Sequence, residues 1–160
     1  MRFLHIRSKM KIDTINKKIL YFLQEDARMT YKEISAKLKR SETTIRDRIK
    51  AMERLGIIQG YTALIDKTAL GLSFFAIIYM NPVSSFELDL VTEKIKKVKN
   101  VLRVYQISGE HRLAVFIVSP SYKELKEIIR TQLIPLGLKD EEIITVLEAD
   151  KEFISPLEIP

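Results

Sequence analysis

A row of polar and charged side chains recurs at helical spacing in one stretch of the chain. At about 100° per residue these side chains fall together on one side of a helix. The row consists of Thr43, Arg46, Asp47, Lys50 and Arg54. An arginine fork can read a guanine edge, whereas a lysine ammonium is as often only a phosphate clamp. The pattern therefore indicates contact with a nucleic acid, and a solvated charged face is the alternative for each residue taken singly.

The opposite side of the same helix is apolar and must face a core. It carries Ile45, Ile49 and Met52. Ser41 is placed to cap this helix at its N-terminus, and Gly56 to end it in the left-handed conformation that glycine adopts readily. The predicted helix therefore runs from Glu42 to about Leu55.

A second capping signal predicts a partner helix just upstream. Thr30 and Glu33 form an S/T-x-x-E capping box, which starts a helix at Tyr31. Ile34 and Leu38 then give that helix one apolar stripe. A short basic turn joins the two helices, as in a helix-turn-helix whose second helix enters the major groove. The alternative is an ordinary αα-hairpin with a solvated charged face.

The charge of the chain is divided unevenly and favours the first alternative. The net charge is +6, and residues 61–160 hold 12 Lys+Arg against 14 Asp+Glu. Residues 1–60 hold 15 Lys+Arg against 7 Asp+Glu. A basic front half on a mildly acidic back half is typical of a nucleic-acid module joined to something with another task.

The composition does not indicate a membrane protein, a secreted protein or an enzyme. The longest apolar stretch, residues 72–80, is far short of the ~20 residues that span a membrane. Residues 1–11 lack the apolar run of a signal peptide and are predicted to form a basic N-terminal arm, with Met10 as an alternative start. There is no cysteine, and no nucleophile–base pair, phosphate loop or metal cluster that would indicate an enzyme or a cofactor. We expect a cytoplasmic protein without enzymatic activity and without a membrane partner.

The front of the chain is predicted to be a helix-turn-helix domain of winged-helix type. Asp13 can cap a first helix, so three helices precede the first glycine and residues 12–60 form the domain. Residues 57–65 are rich in β-branched and apolar side chains and predict a wing or connecting strand. We predict that residues 61–71 form the connecting strand and the linker to the second half of the chain.

The pattern strand-Pro-helix-strand occurs twice in residues 72–150. Strands are predicted at 72–80, 101–108, 113–118 and 143–147. Helices begin at about Ser85 and after Ser121, which forms a capping box with Glu124. The order βαββαβ predicts an antiparallel ferredoxin-like sheet with both helices on one face, and hence an α+β protein with a C-terminal tail at 151–160. The uncovered apolar face needs a partner, and self-association is the economical answer.

These segments resemble the Lrp/AsnC, or feast/famine, family of transcriptional regulators. The resemblance covers residues 12 to about 150. It rests on IDTINKKIL (12–20), RMTYKEISAKL (28–38), SETTIRDRIKAMERLGIIQGYTALID (41–66) and SGEHRLAVFIV (108–118), and on the run R-I-x-x-M-E-x-x-G-I-I-x-G-Y at 48–61. The resemblance implies a helix-turn-helix homodimer that binds double-stranded DNA. It also implies a C-terminal domain that assembles dimers, often into octamers, and binds small ligands, commonly amino acids, between them.

Two departures from the family pattern lie in the first domain. Where the family usually has Leu-Gly-apolar-Ser in the turn, this chain has Leu38, Lys39, Arg40 and Ser41. Losing the glycine costs about 1 kcal/mol if position 39 is left-handed, but it adds two cations beside the DNA backbone. Asn16 stands where an acidic residue is usual, which we interpret as a minor change.

The third departure lies in the loop that holds the family's ligand. The family's Gly-acid-aromatic-Asp pattern here reads Gly109, Glu110, His111 and Arg112. An aspartate suits the ammonium group of an amino acid, whereas Arg112 repels it and attracts a carboxylate or phosphate. An anionic effector is therefore favoured over a standard amino acid, and an ion pair between Glu110 and Arg112 that leaves no site is the alternative.

The predicted DNA contacts lie on the second helix, the turn and the start of the first helix of the pair. They are Tyr31, Lys39, Arg40, Ser41, Thr43, Thr44, Arg46, Asp47, Arg48, Lys50 and Arg54. Arg48 lies nearer the buried side, which favours a phosphate contact or a structural ion pair over base reading. Asp47 is placed to accept from cytosine or to pair with Lys50, and the pairing is favoured. The leading hypothesis is a sequence-specific regulator of palindromic operators, and the alternative is a weakly specific architectural protein that wraps DNA.

The two histidines do not predict a metal site. His5 and His111 have no cysteine and no second histidine at ligand spacing. No metal and no cofactor are therefore expected.

Overall fold

The computed structural model describes most of the chain. The described residues are 12–84, 87–149, 156, 157 and 159. The predicted basic arm, with His5, lies outside the described residues, as do most of the predicted tail and the predicted helix start at Ser85. The described residues form two compact units, 12–64 together with 156, 157 and 159, and 65–149 apart from 85 and 86.

The N-terminal unit contains three helices whose starts follow the predicted caps. They are α1 (Thr14–Glu25), α2 (Tyr31–Leu38) and α3 (Glu42–Arg54). The Asp13 carboxylate accepts the Asn16 backbone N–H at 2.8 Å. Thr30 and Glu33 satisfy each other's backbone N–H groups, which confirms the capping box.

The core of this unit is small and aliphatic. Its fully buried members come from all three helices and are Ile19, Ile34, Ile45, Ile49 and Met52. The three from α3 are those predicted from helical spacing. Burying such a side chain contributes about 1.5–3 kcal/mol, so this face of α3 is fixed against α1 and α2.

Two residues of the helix pair have left-handed backbone. Gly56, just after α3, has φ 66° and its N–H donates to the Glu53 carbonyl at 2.9 Å. Lys39, at the end of α2, has φ 52° and ψ 52°. The absence of a glycine at this position therefore carries the strain anticipated from the sequence.

The predicted connecting strand is wrong. Residues 57–65 contain no strand, and the N–H groups of Ile57 and Ile58 both donate to the Met52 carbonyl at 2.9 and 3.2 Å. Their side chains pack against the helical core. A strand needs a neighbour to form a ladder, and the described part of this unit contains none.

The C-terminal unit is a four-stranded sheet with helices on one face. Its strands are β1 (Phe74–Pro82), β2 (Val101–Gln106), β3 (Leu113–Ser119) and β4 (Leu138–Thr145). Its helices are α4 (Leu88–Ile95) and α5 (Tyr122–Ile128), the latter continued by a π-helical turn at Ile129–Leu133 and a 3-10 turn at Ile134–Leu136. The strand order β2-β3-β1-β4, antiparallel throughout, confirms the ferredoxin-like prediction.

One detail of this unit differs from the prediction. Strand β4 begins at Leu138, not at about residue 143. It is an edge strand, where charged side chains reach water, so its Lys-Asp-Glu-Glu run does not prevent pairing.

Candidate nucleic-acid interface

The structure brings the predicted polar row together on one exposed face of α3. Every member of the row is exposed: Thr43, Arg46, Asp47, Lys50 and Arg54. Lys50 and Arg54 make no side-chain hydrogen bond or ion pair with any other described residue. The face therefore offers cations that remain available for a ligand.

The turn before α3 extends this face at its N-terminal end. Lys39 and Arg40 are exposed, and the Arg40 guanidinium donates to the Lys39 carbonyl at 3.2 Å. Ser41 and Thr44 hydroxyls lie 2.8 Å apart, and the Thr44 N–H donates to Ser41 Oγ at 3.2 Å. Tyr31, at the start of α2, is 38% exposed. The turn thus presents two cations and a capped helix N-terminus.

The carboxylate on this face is paired differently from the prediction. Asp47 Oδ1 lies 3.5 Å from Arg46 Nε, and the predicted pairing with Lys50 is wrong. The two side chains are 47% and 64% exposed, for Arg46 and Asp47 respectively, so the pair is weak. The Arg46 guanidinium is consequently free to exchange Asp47 for a phosphate or a base.

Arg48 lies apart from this row and holds α3 to α1. Its Nη1 donates to Asp13 Oδ2 at 2.7 Å and to Asn16 Oδ1 at 2.9 Å. The structural ion pair anticipated for Arg48 is therefore present. The backbone N–H of Asn16 and the Arg48 guanidinium, in that order, hold the pKa of Asp13 below its ordinary value of 3.8.

Asn16 has a larger structural role than the minor change expected from the sequence. Its side chain is buried, with 3% of the residue exposed, and it accepts one of the two Arg48 hydrogen bonds. An amide oxygen here keeps the acceptor of the usual acidic residue without burying a second charge. The substitution is therefore part of how α3 is positioned.

A second residue missed by the sequence argument lies just beyond α3. The Tyr61 hydroxyl donates to Glu53 Oε1 at 2.9 Å. Burial, with a smaller effect from the Glu53 hydrogen bond, raises the pKa of Tyr61 to about 12. This contact ties the segment after the helix pair back onto the C-terminal turn of α3.

The predicted effector loop, Gly109 to Arg112, joins β2 to β3, and the side chain of Asn81 binds two of its backbone groups. Asn81 Nδ2 donates to the Glu110 carbonyl at 3.3 Å, and Asn81 Oδ1 accepts the Arg112 backbone N–H at 3.0 Å. Asn81 lies at an irregularity in the β1–β4 pairing, which no local sequence signal predicts.

The side chains of that loop are arranged around a tyrosine and a carboxylate. The His111 ring lies 5.8 Å from that of Tyr79, and its Nδ1 lies 3.9 Å from Glu142 Oε2. Within the described ranges Glu110 and Arg112 form no ion pair, so the alternative of a self-neutralised loop is not what the structure shows. Arg112 is exposed.

Two further observations concern the described residues only. They contain no group of three histidine or acidic side chains placed to hold a metal ion. None of their helices has the length and apolar content needed to cross a membrane.

Comparison with known proteins decides which family these two units represent. Residues 12–59 match the winged helix-turn-helix DNA-binding model, and residues 73–153 match the Lrp/AsnC ligand binding domain. The chain belongs to the Lrp/AsnC family. Lrp/AsnC proteins are DNA-binding transcriptional regulators, so this chain is a transcriptional regulator and not an enzyme.

Individual Lrp/AsnC relatives agree with this assignment. The HTH-type transcriptional regulator LrpA of Pyrococcus horikoshii is 39% identical over 124 residues, covering 76% of this chain and 86% of the relative. The regulator FL11 of the same organism is 30% identical over 144 residues, covering 90% and 95%.

Solved structures of similar proteins share the fold. Escherichia coli AsnC superposes with a TM-score of 0.82 at 22% identity, covering 92% of this chain and 100% of AsnC. A Neisseria meningitidis transcriptional regulator in complex with L-Met has a TM-score of 0.82 at 24% identity, covering 89% and 94%. The α+β architecture of this Lrp/AsnC chain is thus the one those structures show.

The Arg48 contact gives a prediction about pH. Asp13→Asn keeps an N-cap acceptor but removes the charge that Arg48 binds. Because the folded-state pKa of Asp13 is lowered, its contribution to stability is present above the unfolded pKa and is lost as the pH falls through the folded value. We expect the variant to be less stable than wild type at pH 7, by less than about 1 kcal/mol for a half-exposed pair, and the gap to close below about pH 4.

Thermal unfolding followed by circular dichroism measures this gap. Asp26→Asn is the matched control, because Asp26 accepts a backbone N–H from Arg28 but binds no arginine side chain among the described residues. Identical pH profiles for the Asp13 and Asp26 variants would contradict the role given to Arg48.

Proposed function

We propose that this regulator binds palindromic operator DNA in the cytoplasm as a homodimer or larger assembly, with α3 in the major groove. The observation that carries the proposal is the exposed cationic row on α3, opposite its buried apolar face. A helix-turn-helix presents the start of its second helix to base edges in this way. The N-cap at Ser41 and the basic turn before it lie at that end.

The individual roles follow from side-chain chemistry and pairing. Arg46 is the candidate for reading guanine, because its fork is held only by a weak exposed pair. Lys50 and Arg54 are candidates for phosphate or base contact, and Lys39 and Arg40 for the backbone beside the turn. Ser41, Thr43 and Thr44 supply hydroxyls at the start of α3, and Tyr31 supplies one at the start of α2. Asp47 and Arg48 are assigned to positioning, since each already binds a neighbour.

The open face of the C-terminal sheet supports self-association. The half-buried or exposed apolar side chains on this face come from three strands and include Phe75, Ile77, Tyr79, Phe116 and Tyr105. The Phe116 ring lies 5.5 Å from Tyr105 and 6.3 Å from Phe75. A contiguous aromatic surface of this kind favours a two-fold partner of the same chain. A dimer with two-fold symmetry matches a palindromic operator, because each subunit binds one half-site. We propose an octamer as a further step of the same assembly.

The effector of this assembly is proposed to be an anion held at Gly109 to Arg112. Arg112 is exposed, with its backbone fixed by Asn81 and its guanidinium without a partner among the residues described. Glu110 and His111 lie beside it as the remaining predicted contacts. A free guanidinium favours a carboxylate or phosphate group.

Substitutions on α3 test the operator proposal. We expect Arg46→Ala to weaken operator binding by about 1–3 kcal/mol and to relax specificity at one base, if its fork reads guanine. We expect Lys50→Ala to lower the slope of log affinity against log salt by about 1. Fluorescence anisotropy with operator DNA, selected beforehand from a random pool, measures both.

Lys18→Ala on α1 is the control, because it removes an exposed cation that is not among the proposed DNA contacts. Unchanged affinity in both α3 variants would count against this docking face. Equal affinity of the wild type for random and selected DNA would favour the architectural alternative instead.

A charge placed on the open sheet face tests self-association. Phe116→Glu puts a carboxylate in the centre of the aromatic surface, where a close partner cannot solvate it. We expect light scattering after size-exclusion chromatography to show monomers. Lys123→Glu, at an exposed position of α5, is the control and should keep the wild-type assembly. A Phe116→Glu protein of unchanged mass would exclude this face as the interface.

A thermal-shift screen tests the effector proposal. We expect anionic compounds that carry carboxylate or phosphate groups, and no ammonium group, to stabilise the wild type. At a ligand concentration a hundred times the Kd, the free energy of unfolding should rise by about 2.7 kcal/mol. Arg112→Gln should abolish the shift, whereas Arg103→Gln, an exposed arginine on β2, should retain it. Stabilisation by several neutral amino acids that survives in Arg112→Gln would overturn the anion preference.

A further inference from the structure

The C-terminal unit carries one strongly basic segment. This segment is not part of the surfaces proposed for self-association or effector binding. Four lysines lie at the end of α4 and in the turn that follows it: Lys94, Lys96, Lys97 and Lys99. We call this cluster the lysine ridge. All four side chains are exposed.

The lysine ridge is opposite in sign to the rest of its unit. Residues 65–150 hold 11 Lys+Arg against 12 Asp+Glu. Five of those cations, the ridge and Arg103, lie between positions 94 and 103, where there is no Asp or Glu. The remainder of the unit therefore holds six cations against twelve carboxylates, and the positive charge is concentrated in one place.

The fold forces these cations outward and fixes the backbone beneath them. Ile95 is completely buried and Val98 packs against the core, so the lysines between and around them face solvent. The turn is closed by hydrogen bonds from the Lys97 N–H to the Lys94 carbonyl at 3.0 Å and from Val98 to Ile95 at 2.9 Å. The ridge is thus a feature of the folded unit.

Intramolecular pairing does not account for the ridge. Lys96 Nζ lies 2.6 Å from Glu93 Oε1, while the other three lysines form no ion pair within the described part of the chain. The helix dipole favours cations in the last turn of α4, but Lys99 lies beyond that turn. Like charges at this spacing repel one another, and a bound polyanion would relieve that repulsion.

We propose that the lysine ridge is a second DNA-contacting surface that binds the sugar–phosphate backbone of DNA flanking the operator. Lysine ammonium groups bind phosphates as point charges without reading sequence. Because the regulator already binds DNA at the operator, contact between the ridge and phosphates of the same duplex is an intramolecular step. Such a step does not require a second association from solution. The ridge then adds affinity that depends on the length of the DNA and on salt.

The experiment compares two duplexes that share one operator. The shorter is about 20 base pairs, enough for two half-sites, and reports binding by the helix-turn-helix alone. The longer carries flanking DNA on both sides. The ridge variant is Lys94→Gln/Lys97→Gln/Lys99→Gln, which leaves the Lys96–Glu93 pair in place. The matched control is Lys123→Gln/Lys126→Gln/Lys139→Gln, which removes the same charge from other exposed positions of the unit.

We expect the ridge variant to bind the longer duplex on the order of tenfold more weakly than wild type, with a salt slope lower by about 2 to 3. Its binding to the shorter duplex should match that of the control variant. Equal behaviour of the two variants on the longer duplex would overturn the proposal. So would a ridge variant whose oligomeric mass changes without DNA, because the lysines would then hold another copy of the chain. Loss of wild-type binding to the shorter duplex would instead count against the α3 interface.

Discussion

The orientation of α3 depends on the burial of its three apolar side chains, Ile45, Ile49 and Met52. Their burial contributes several kcal/mol in total, whereas an exposed ion pair contributes about 0–1 kcal/mol. The aliphatic contacts therefore decide how α3 is rotated about its axis. Once that rotation is set, helical geometry alone places Arg46 and Lys50 on the outer face. The helix that we propose to contact DNA is therefore oriented by residues outside the proposed contact face.

Directional polar contacts refine what the apolar core sets in place. Arg48 binds both Asp13 and Asn16, so the start of α1 and the middle of α3 are joined by charge-assisted hydrogen bonds. Asn81 has the equivalent role in the other unit, where one amide binds two backbone groups of the Glu110–Arg112 turn. In both units an amide side chain fixes the geometry of a candidate binding element without adding a charge.

Local signals in the sequence predicted the helices and most of the sheet, because caps and periodicity act over a few residues. Asp13 and Thr30 cap their helices as expected. The strand at 57–65 was wrong because pairing depends on a neighbour, which composition does not reveal. The early start of β4 was missed because its charged run resembles a loop and only its edge position tolerates it. The Asn16 contact was missed because its partner lies 32 residues away.

The left-handed backbone at Lys39 makes one residue relevant both to stability and to the proposed DNA contact of the turn. A glycine there would relax about 1 kcal/mol of strain but would remove a positive charge from the turn beside α3. Adaptation to heat and adaptation to tight control of genes would therefore pull this position in opposite directions. A related chain with glycine at this position is expected to carry a compensating cation elsewhere on the same face.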